Sequence, residues 1–200
     1  MAKAQVTRGR SDVDTRARIM EAAAELLPRF TIAKLSMEDV ARATGIARQT
    51  VYKHFRSKDE LVAEIIAAEL RAKHGPLMRD LARHKATKRR LVELFMAQLD
   101  VGRQFPLIDP VLDPQIAPRM AELIFGIPVI LEALEEIWLP ILGKYADAGV
   151  LRPDLDHRQI VRWITYQQFW LITHPEVLAK NDAELEVYVS HFMLSGILQA

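Results

Sequence analysis

Between Arg48 and Lys53 the chain sets out Arg48, Gln49, Thr50, Tyr52 and Lys53 within a single short segment. These side chains donate hydrogen bonds to base edges and to phosphate oxygens. An arginine can bond bidentately to guanine, and a glutamine to adenine. Such chemistry works only if a rigid element holds the donors on one exposed face. The surrounding sequence, LSMEDVARATGIARQTVYKHFRSKDEL over residues 35–61, supplies that element. Ser36 and Asp39 carry capping spacing and open a short helix through Ala43. Gly45 allows a positive φ at a tight turn. A second short helix runs from Ala47 to Phe55. Ala41 must be small where the second helix crosses it, and Val40, Ile46 and Val51 fill the wedge between the two. This is helix-turn-helix spacing. An ordinary αα-hairpin with a solvated face needs neither Ala41 nor the donor-rich exposed face.

Other chemistries find little support. The 200 residues include no cysteine, which excludes disulfides, thiolate zinc sites and cysteine nucleophiles. There is no G-x-S-x-G elbow, P-loop, dinucleotide fingerprint or H-E-x-x-H. The histidines at 54, 74, 84, 157, 174 and 191 are never three or four residues apart, so no two-histidine helical metal site is expected. The reading is a non-enzyme with no metal and no cofactor. The start, MAKAQVTRGRSDVDTRAR, lacks an apolar core for a secretory signal, and the longest apolar run, Leu123–Leu131, is too short to cross a bilayer. A cytoplasmic protein without membrane contact is expected.

Charge is unevenly spread. Residues 1–90 hold 20 Lys+Arg against 11 Asp+Glu, whereas residues 91–200 hold 7 against 15, within an overall charge of +1. A basic front half suits a polyanion, although uneven solvation of a soluble protein gives the same sum.

Apolar residues recur at helical spacing and no run alternates with period two, so the fold class expected is all-α, with about nine helices. The first helix is expected from about Ser11–Asp14. It carries Ile19, Ala22, Ala23, Leu26 and Leu27 on one face and has Pro28 near its end. Ser57-Lys-Asp-Glu60 opens a long helix towards His74, which Gly75-Pro76 ends or kinks. Residues 86–103 form an amphipathic helix. Pro106, Pro110, Pro114 and Pro118 then fall every four residues, which no long regular helix survives. A long apolar helical region is expected over Arg119–Ala148, kinked at Pro128 and again at Pro140. Helices at about 157–173 and 183–199 complete the chain.

From about Thr15 to Ile66 the sequence resembles the DNA-binding domain of the TetR family of transcriptional regulators. The resemblance rests on Leu35-Ser36, Val40-Ala41, Thr44-Gly45-Ile46, the run Thr50-Val51-Tyr52-Lys53-His54-Phe55, and Ser57-Lys58-Asp59-Glu60-Leu61. It implies that Arg48 and Gln49 read bases, that Thr50 and Tyr52 contact phosphate, and that Lys53 reaches base or phosphate. His54 is left between a phosphate contact and packing within the domain, and Phe55 is read as core. Lys58 begins the fourth helix, where its ammonium and the backbone N–H groups can bind one phosphate. Glu38 departs from a favourable charge near DNA. It would accept from a cytosine amino group or repel phosphate. Lys3, Arg8 and Arg10 form a basic arm, either a mobile tail or a minor-groove reader. Gly149-Val-Leu-Arg-Pro-Asp154 resembles a turn before the penultimate helix of that family.

The expected division is a DNA-binding domain with a basic arm over residues 1–60 and an effector-binding and dimerisation domain over 61–200. In the second, kinked helices carrying Met96, Phe105, Met120, Phe125, Trp138, Tyr166 and Trp170 suggest an apolar cavity, although a Met and aromatic stripe also serves as plain core. Gln98, Asp109, Asp113 and Tyr166 could point inward or outward. Helix 183–199 has Leu185, Tyr188, Val189 and Phe192 on one stripe and Val187, Leu194, Ile197 and Leu198 largely on another. Helix 157–173 is also apolar on more than one face. The simplest solution is a homodimer through these two helices, the alternative being burial of both faces within one chain. The expected partners are therefore a double-stranded, pseudo-palindromic DNA operator, a second copy and a small apolar or amphipathic effector. The resemblance implies a repressor released by that effector. The alternative is a constitutive or architectural DNA-binding protein without one.

Overall fold

Five polar residues fix where helices begin. Ser36, Ser57, Thr87, Asp156 and Asn181 each accept a hydrogen bond from the N–H three residues on, at 3.0 to 3.2 Å. Glu60 and Glu184 return the favour to the chain just before their caps, accepting from Arg56 N at 2.7 Å and Lys180 N at 2.9 Å. The resulting order, in a computed structural model that describes residues 2–104, 117–174 and 179–199, is all-helical. The helices are α1 (Ala2–Lys34), α2 (Met37–Thr44), α3 (Arg48–His54), α4 (Lys58–Glu69), α5 (Gly75–Leu81), α6 (Lys88–Arg103), α7 (Ala117–Gly126), α8 (Pro128–Asp147), α9 (His157–Thr173) and α10 (Asp182–Tyr188). A π-turn over Leu70–His74 joins α4 to α5, and another over Val189–Met193 continues α10. Taking joined segments together gives nine helices among the described residues. The chain divides into two compact units, Met1–Ile66 and Ala67–Ala200.

In the first unit α1 packs on α2 and α2 on α3. Ile19, Ala23, Val40, Val51, Phe55 and Leu61 are wholly buried. The helix expected from Ser11–Asp14 instead runs from Ala2, so Ser11 lies in mid-helix and cannot cap it. Pro28 is carried inside α1.

In the second unit α8 is the central element, packed against α5, α7, α9 and the first π-turn, while α6 packs on α9. Trp138, Tyr145, Phe95, Leu91, Leu94 and Leu99 form its fully buried centre. Three expectations are corrected here. Gly75-Pro76 does not end the long helix. The π-turn, closed by a bond from Gly75 N to Leu70 O, carries the helix on into α5. The region expected as one helix over Arg119–Ala148 is two. Ile127 is extended, at φ −112 and ψ 116, and Pro128 opens α8, where its missing N–H costs nothing. Pro140 is accommodated within α8, while Pro118 lies in the first turn of α7. Pro106, Pro110 and Pro114 lie outside the described residues.

The third correction concerns the last helix, which ends at Met193 rather than near 199. Beyond it Leu198 makes an isolated antiparallel bridge to Leu151. Arg152 N donates to Ile197 O at 3.0 Å and Gln199 N to Val150 O at 2.8 Å. Backbone groups that a longer helix would have paired internally are thus satisfied by the turn after α8. Gly149 makes that turn possible with φ 69. Its N–H reaches Ala146 O at 2.9 Å, and Val150 N reaches Tyr145 O at 3.0 Å.

The second π-turn also changes which residues face inward. At regular helical spacing Phe192 would follow Leu185 and Val189 on one stripe. The extra residue of the π-turn brings Met193 and Leu194 into that line instead, and all four of Leu185, Val189, Met193 and Leu194 are buried. Phe192 is turned outward and is 70% exposed. The second expected stripe is split. Leu194 and Ile197 are buried within the chain, whereas Val187 is exposed.

Candidate nucleic-acid interface and effector region

The turn between α2 and α3 is built from short-range contacts. Gly45 takes φ 66 and ψ 15, and its N–H caps α2 on Arg42 O. Thr44 Oγ1 donates to Val40 O at 2.9 Å and accepts from Ile46 N at 3.3 Å, tying both sides of the turn. Arg18 of α1 adds a bond to Thr44 O at 3.2 Å. Val40 and Val51 are buried in the wedge, and Ala41 and Ile46 are half-buried at its edge. With α3 held this way, Arg48, Gln49, Tyr52 and Lys53 are exposed and Thr50 is half-buried.

Local charges act on these donors. Arg48 pairs with Glu38 of α2 at 2.6 Å. Its guanidinium also lies 5.4 Å from the centre of the Tyr52 ring. Hydrogen bonding to Tyr52, and after it the Glu38 charge, hold the Arg48 pKa above its ordinary value. Lys53 lies 3.8 Å from Asp12 of α1. His54 is placed on the packing side of its two expected roles. Its side chain is 7% exposed, and Nε2 lies 3.6 Å from the same Asp12 carboxylate. Phe55 is core, with the Arg16 guanidinium 4.8 Å from its ring centre and Arg16 paired to Glu64 at 2.6 Å. Lys58 is half-buried at the first position of α4, directly after the Ser57 cap. Asp12 was missed by the sequence reading, because nothing local to residue 12 signals a partner on α3. Glu38, expected either to accept from a cytosine amino group or to repel phosphate, pairs with Arg48 in the structure.

The effector candidates are more scattered. Phe125 of α7 stacks face to face on Tyr166 of α9, with centroids 3.8 Å apart and planes 2° apart. It also meets Phe169 edge-on at 5.8 Å. Phe125 is half-buried, but Tyr166 is 54% exposed and covers the cluster from outside. Trp170 is half-buried and stacks on His174 at 5.1 Å. Met120 and Trp138 are buried and Met96 is half-buried. Phe105, Asp109 and Asp113 lie outside the described residues. A cleft of about 760 Å³ lies between α6 and α10 and one of about 470 Å³ between α9 and the second π-turn, and none of these candidates lines either one. Gln98 points inward: it is buried, its Oε1 has no hydrogen-bond partner in the protein, and the same holds for Trp138 Nε1. By contrast Gln168 of α9, also buried, donates to Phe95 O of α6 at 3.1 Å. Among the described residues no group of three His, Cys, Asp or Glu is placed to hold a metal ion, and no helix is long and apolar enough to cross a membrane.

A three-helix unit presenting a donor-rich α3 behind a glycine turn defines the class: a helix-turn-helix DNA-binding regulator. Residues 19–65 match the family model for bacterial regulatory proteins of the tetR family. The chain therefore carries the segment that the tetR-family model describes. It is 24% identical over 148 residues to the HTH-type transcriptional repressor KstR2 of Mycolicibacterium smegmatis, which spans 73% of this chain and 72% of that relative. Two solved structures share the fold. The regulator FadR of Bacillus subtilis, in complex with stearoyl-CoA, superposes with a TM-score of 0.59 at 21% identity over 90% of this chain and 98% of the other. The repressor FadR of Thermus thermophilus, in complex with lauroyl-CoA, gives 0.59 at 20% identity over 90% and 92%.

Proposed function

We propose that this protein is a transcriptional repressor that binds a pseudo-palindromic operator as a homodimer and leaves it when an amphipathic effector binds the Ala67–Ala200 unit. The observation that carries the DNA-binding part is the exposed face of Arg48, Gln49, Tyr52 and Lys53 held behind the Gly45 turn. Arg48 and Gln49 read bases, Thr50, Tyr52 and Lys58 hold phosphate, and Lys53 contributes to both. The protein works in the cytoplasm and catalyses no reaction.

Dimerisation is supported by apolar surface that one chain leaves bare. Phe192, Val187 and Tyr166 are 70%, 57% and 54% exposed on α9 and α10 and the adjoining π-turn. Between these elements Trp163, Gln167, Phe192 and Ile197 line a cleft of about 470 Å³. A two-fold partner covering this face gives the assembly two α3 helices, one for each half-site of the operator.

The effector part is supported by the unpartnered Gln98 Oε1 and Trp138 Nε1 within an apolar unit. Each such buried group costs about 1–3 kcal/mol unless something pairs with it. A ligand with a long apolar body and a polar group that both donates and accepts would satisfy them. The acyl-CoA complexes of the two FadR structures show ligands of that kind on this fold.

Selection of genomic fragments by the purified protein at about 150 mM salt tests the DNA reading, since surface attraction is largely screened there. Recovery of sites sharing an inverted repeat supports it, and recovery without a shared sequence overturns it. Titrating long-chain acyl-CoA against the recovered duplex tests release. A ligand can shift DNA affinity only through its differential affinity for the two states, so equal binding to free and DNA-bound protein overturns that part.

A further inference from the structure

Arg48 begins the donor-rich helix and is the residue there best suited to read guanine, yet it does not stand alone. Its Nη1 meets Glu38 Oε1 at 2.6 Å across the α2–α3 turn. On its other side lies the Tyr52 ring, with the guanidinium 5.4 Å from the ring centre. Both members of the ion pair remain open to solvent, Arg48 at 60% and Glu38 at 44% of side-chain surface. An exposed pair of this kind contributes at most about 1 kcal/mol to folding. Stability therefore explains little of a carboxylate placed on a face meant for a polyanion.

Its electrostatic effect near DNA is specific. A long, flexible arginine beside a duplex has two destinations, a phosphate oxygen or a base edge, and phosphates are the more abundant. A carboxylate beside the guanidinium is repelled by phosphate, so it makes the phosphate-bound position unfavourable. It also bonds the guanidinium at Nη1 and so fixes where the planar fork sits before DNA arrives. The Tyr52 ring limits rotation of the same plane.

We propose that Glu38 is a specificity-determining positioning residue, which holds Arg48 for a base edge and denies it the phosphate backbone. The proposal rests on α3 being the reading helix. It assigns Glu38 no contact with DNA of its own, unlike the cytosine contact that its charge alone suggested. Removing the charge should turn a sequence-reading cation into a phosphate-binding one.

The test uses the full-length protein, selection from a randomised duplex library, and affinity measured on the selected duplex and a scrambled duplex at several salt concentrations. Glu38→Gln keeps the side-chain volume, and a thermal melt checks that it folds. The expected result is a fall of about tenfold in the ratio of selected to scrambled affinity, the discrimination of one good arginine–guanine contact. Most of the change should come from tighter binding to the scrambled duplex. The salt dependence on that duplex should steepen by about 0.9 in log–log slope, one added phosphate contact. One base position per half-site should lose its preference, the same position that Arg48→Ala relaxes.

An unchanged ratio and an unchanged selected sequence in Glu38→Gln, with Arg48→Ala still relaxing one position, overturns the proposal and leaves the reading helix standing. If Glu38→Gln relaxes a position even in an Arg48→Ala background, Glu38 touches DNA itself and the proposal is again overturned. If Arg48→Ala changes neither affinity nor preference, the reading-helix assignment fails and the proposal falls with it.

Discussion

Arg71 grips Glu136 with two hydrogen bonds, Nε to Oε2 at 2.7 Å and Nη2 to Oε1 at 2.8 Å. The pair ties the π-turn after α4 to the central helix α8. The arginine's hydrogen bonds, with its charge acting in the same direction, hold the Glu136 carboxyl below its ordinary value of 4.5. A carboxyl whose folded pKa is depressed stabilises the fold above the unfolded pKa and loses that contribution as pH falls through the folded one. Because the pair is exposed, Glu136→Gln should lower Tm by no more than about 3 °C at pH 7. The difference between the two proteins should fade below pH 4.5, which paired thermal melts would show.

His74, at the end of the same π-turn, should give a pH dependence at milder acidity. It is 3% exposed, and burial, aided by the Lys73 charge, pushes its pKa from 6.5 down to about 4. Here the unfolded chain takes up the proton first. Stability should therefore be full above 6.5, fall as pH drops from 6.5 towards 4, and level off below that. The loss should amount to roughly 3 kcal/mol across the window. Urea unfolding at several pH values would measure it, and His74→Leu should flatten that part of the profile.

Glycine positions separate backbone strain from space. A Cβ at Gly45 would touch nothing within 4 Å, but the residue has φ 66. Gly45→Ala should therefore destabilise the first unit by about 1–2 kcal/mol through conformation alone. A Cβ at Gly143 would also meet nothing within 4 Å, and that residue lies in the interior of α8. Gly143→Ala should stabilise by about 0.5–1 kcal/mol. Denaturant titration of both variants checks the opposite signs.

The role proposed for Tyr52 is a phosphate contact, which carries no sequence information. Tyr52→Phe removes only the hydroxyl and should weaken binding to every duplex by about fivefold, one net hydrogen bond. Base preference should stay unchanged. A shift in the selected sequence would move Tyr52 from phosphate holding to base reading.

The apolar face around Phe192 predicts the assembly state. Phe192→Asp puts a charge where a partner must exclude water, and it should convert a dimer to a monomer in sedimentation measurements. DNA affinity should fall with it, because two half-sites would no longer be bound together. A variant that sediments like the parent would show that the dimer is made elsewhere.

What the sequence made legible followed contact range. Ser36, Val40, Gly45 and Val51 lie within one short stretch and constrain one another, so the helix-turn-helix could be read residue by residue. The His54 environment depends on Asp12, on another helix, and no local spacing encodes that meeting. Pro128 was visible as a disturbance, but whether it kinks one helix or starts a new one depends on Ile127 being extended. Phe192 was set on one stripe with Leu185 and Val189 because a period of 3.6 was carried through a segment whose period is longer. The candidates around Phe125 and Tyr166 were legible as aromatic residues, but their pairing across α7 and α9 was not.

The π-turn at Val189–Met193 gives this region a tolerance of chain length that substitutions do not reveal. In a regular helix, deleting one residue rotates everything downstream by about 100°. Here a deletion would remove the extra residue and restore ordinary winding, with Met193 and Leu194 still in line with Val189 and the bridge from Leu198 to Leu151 in register. Among homologous chains, single-codon deletions should therefore be found in this segment where they are absent from α9.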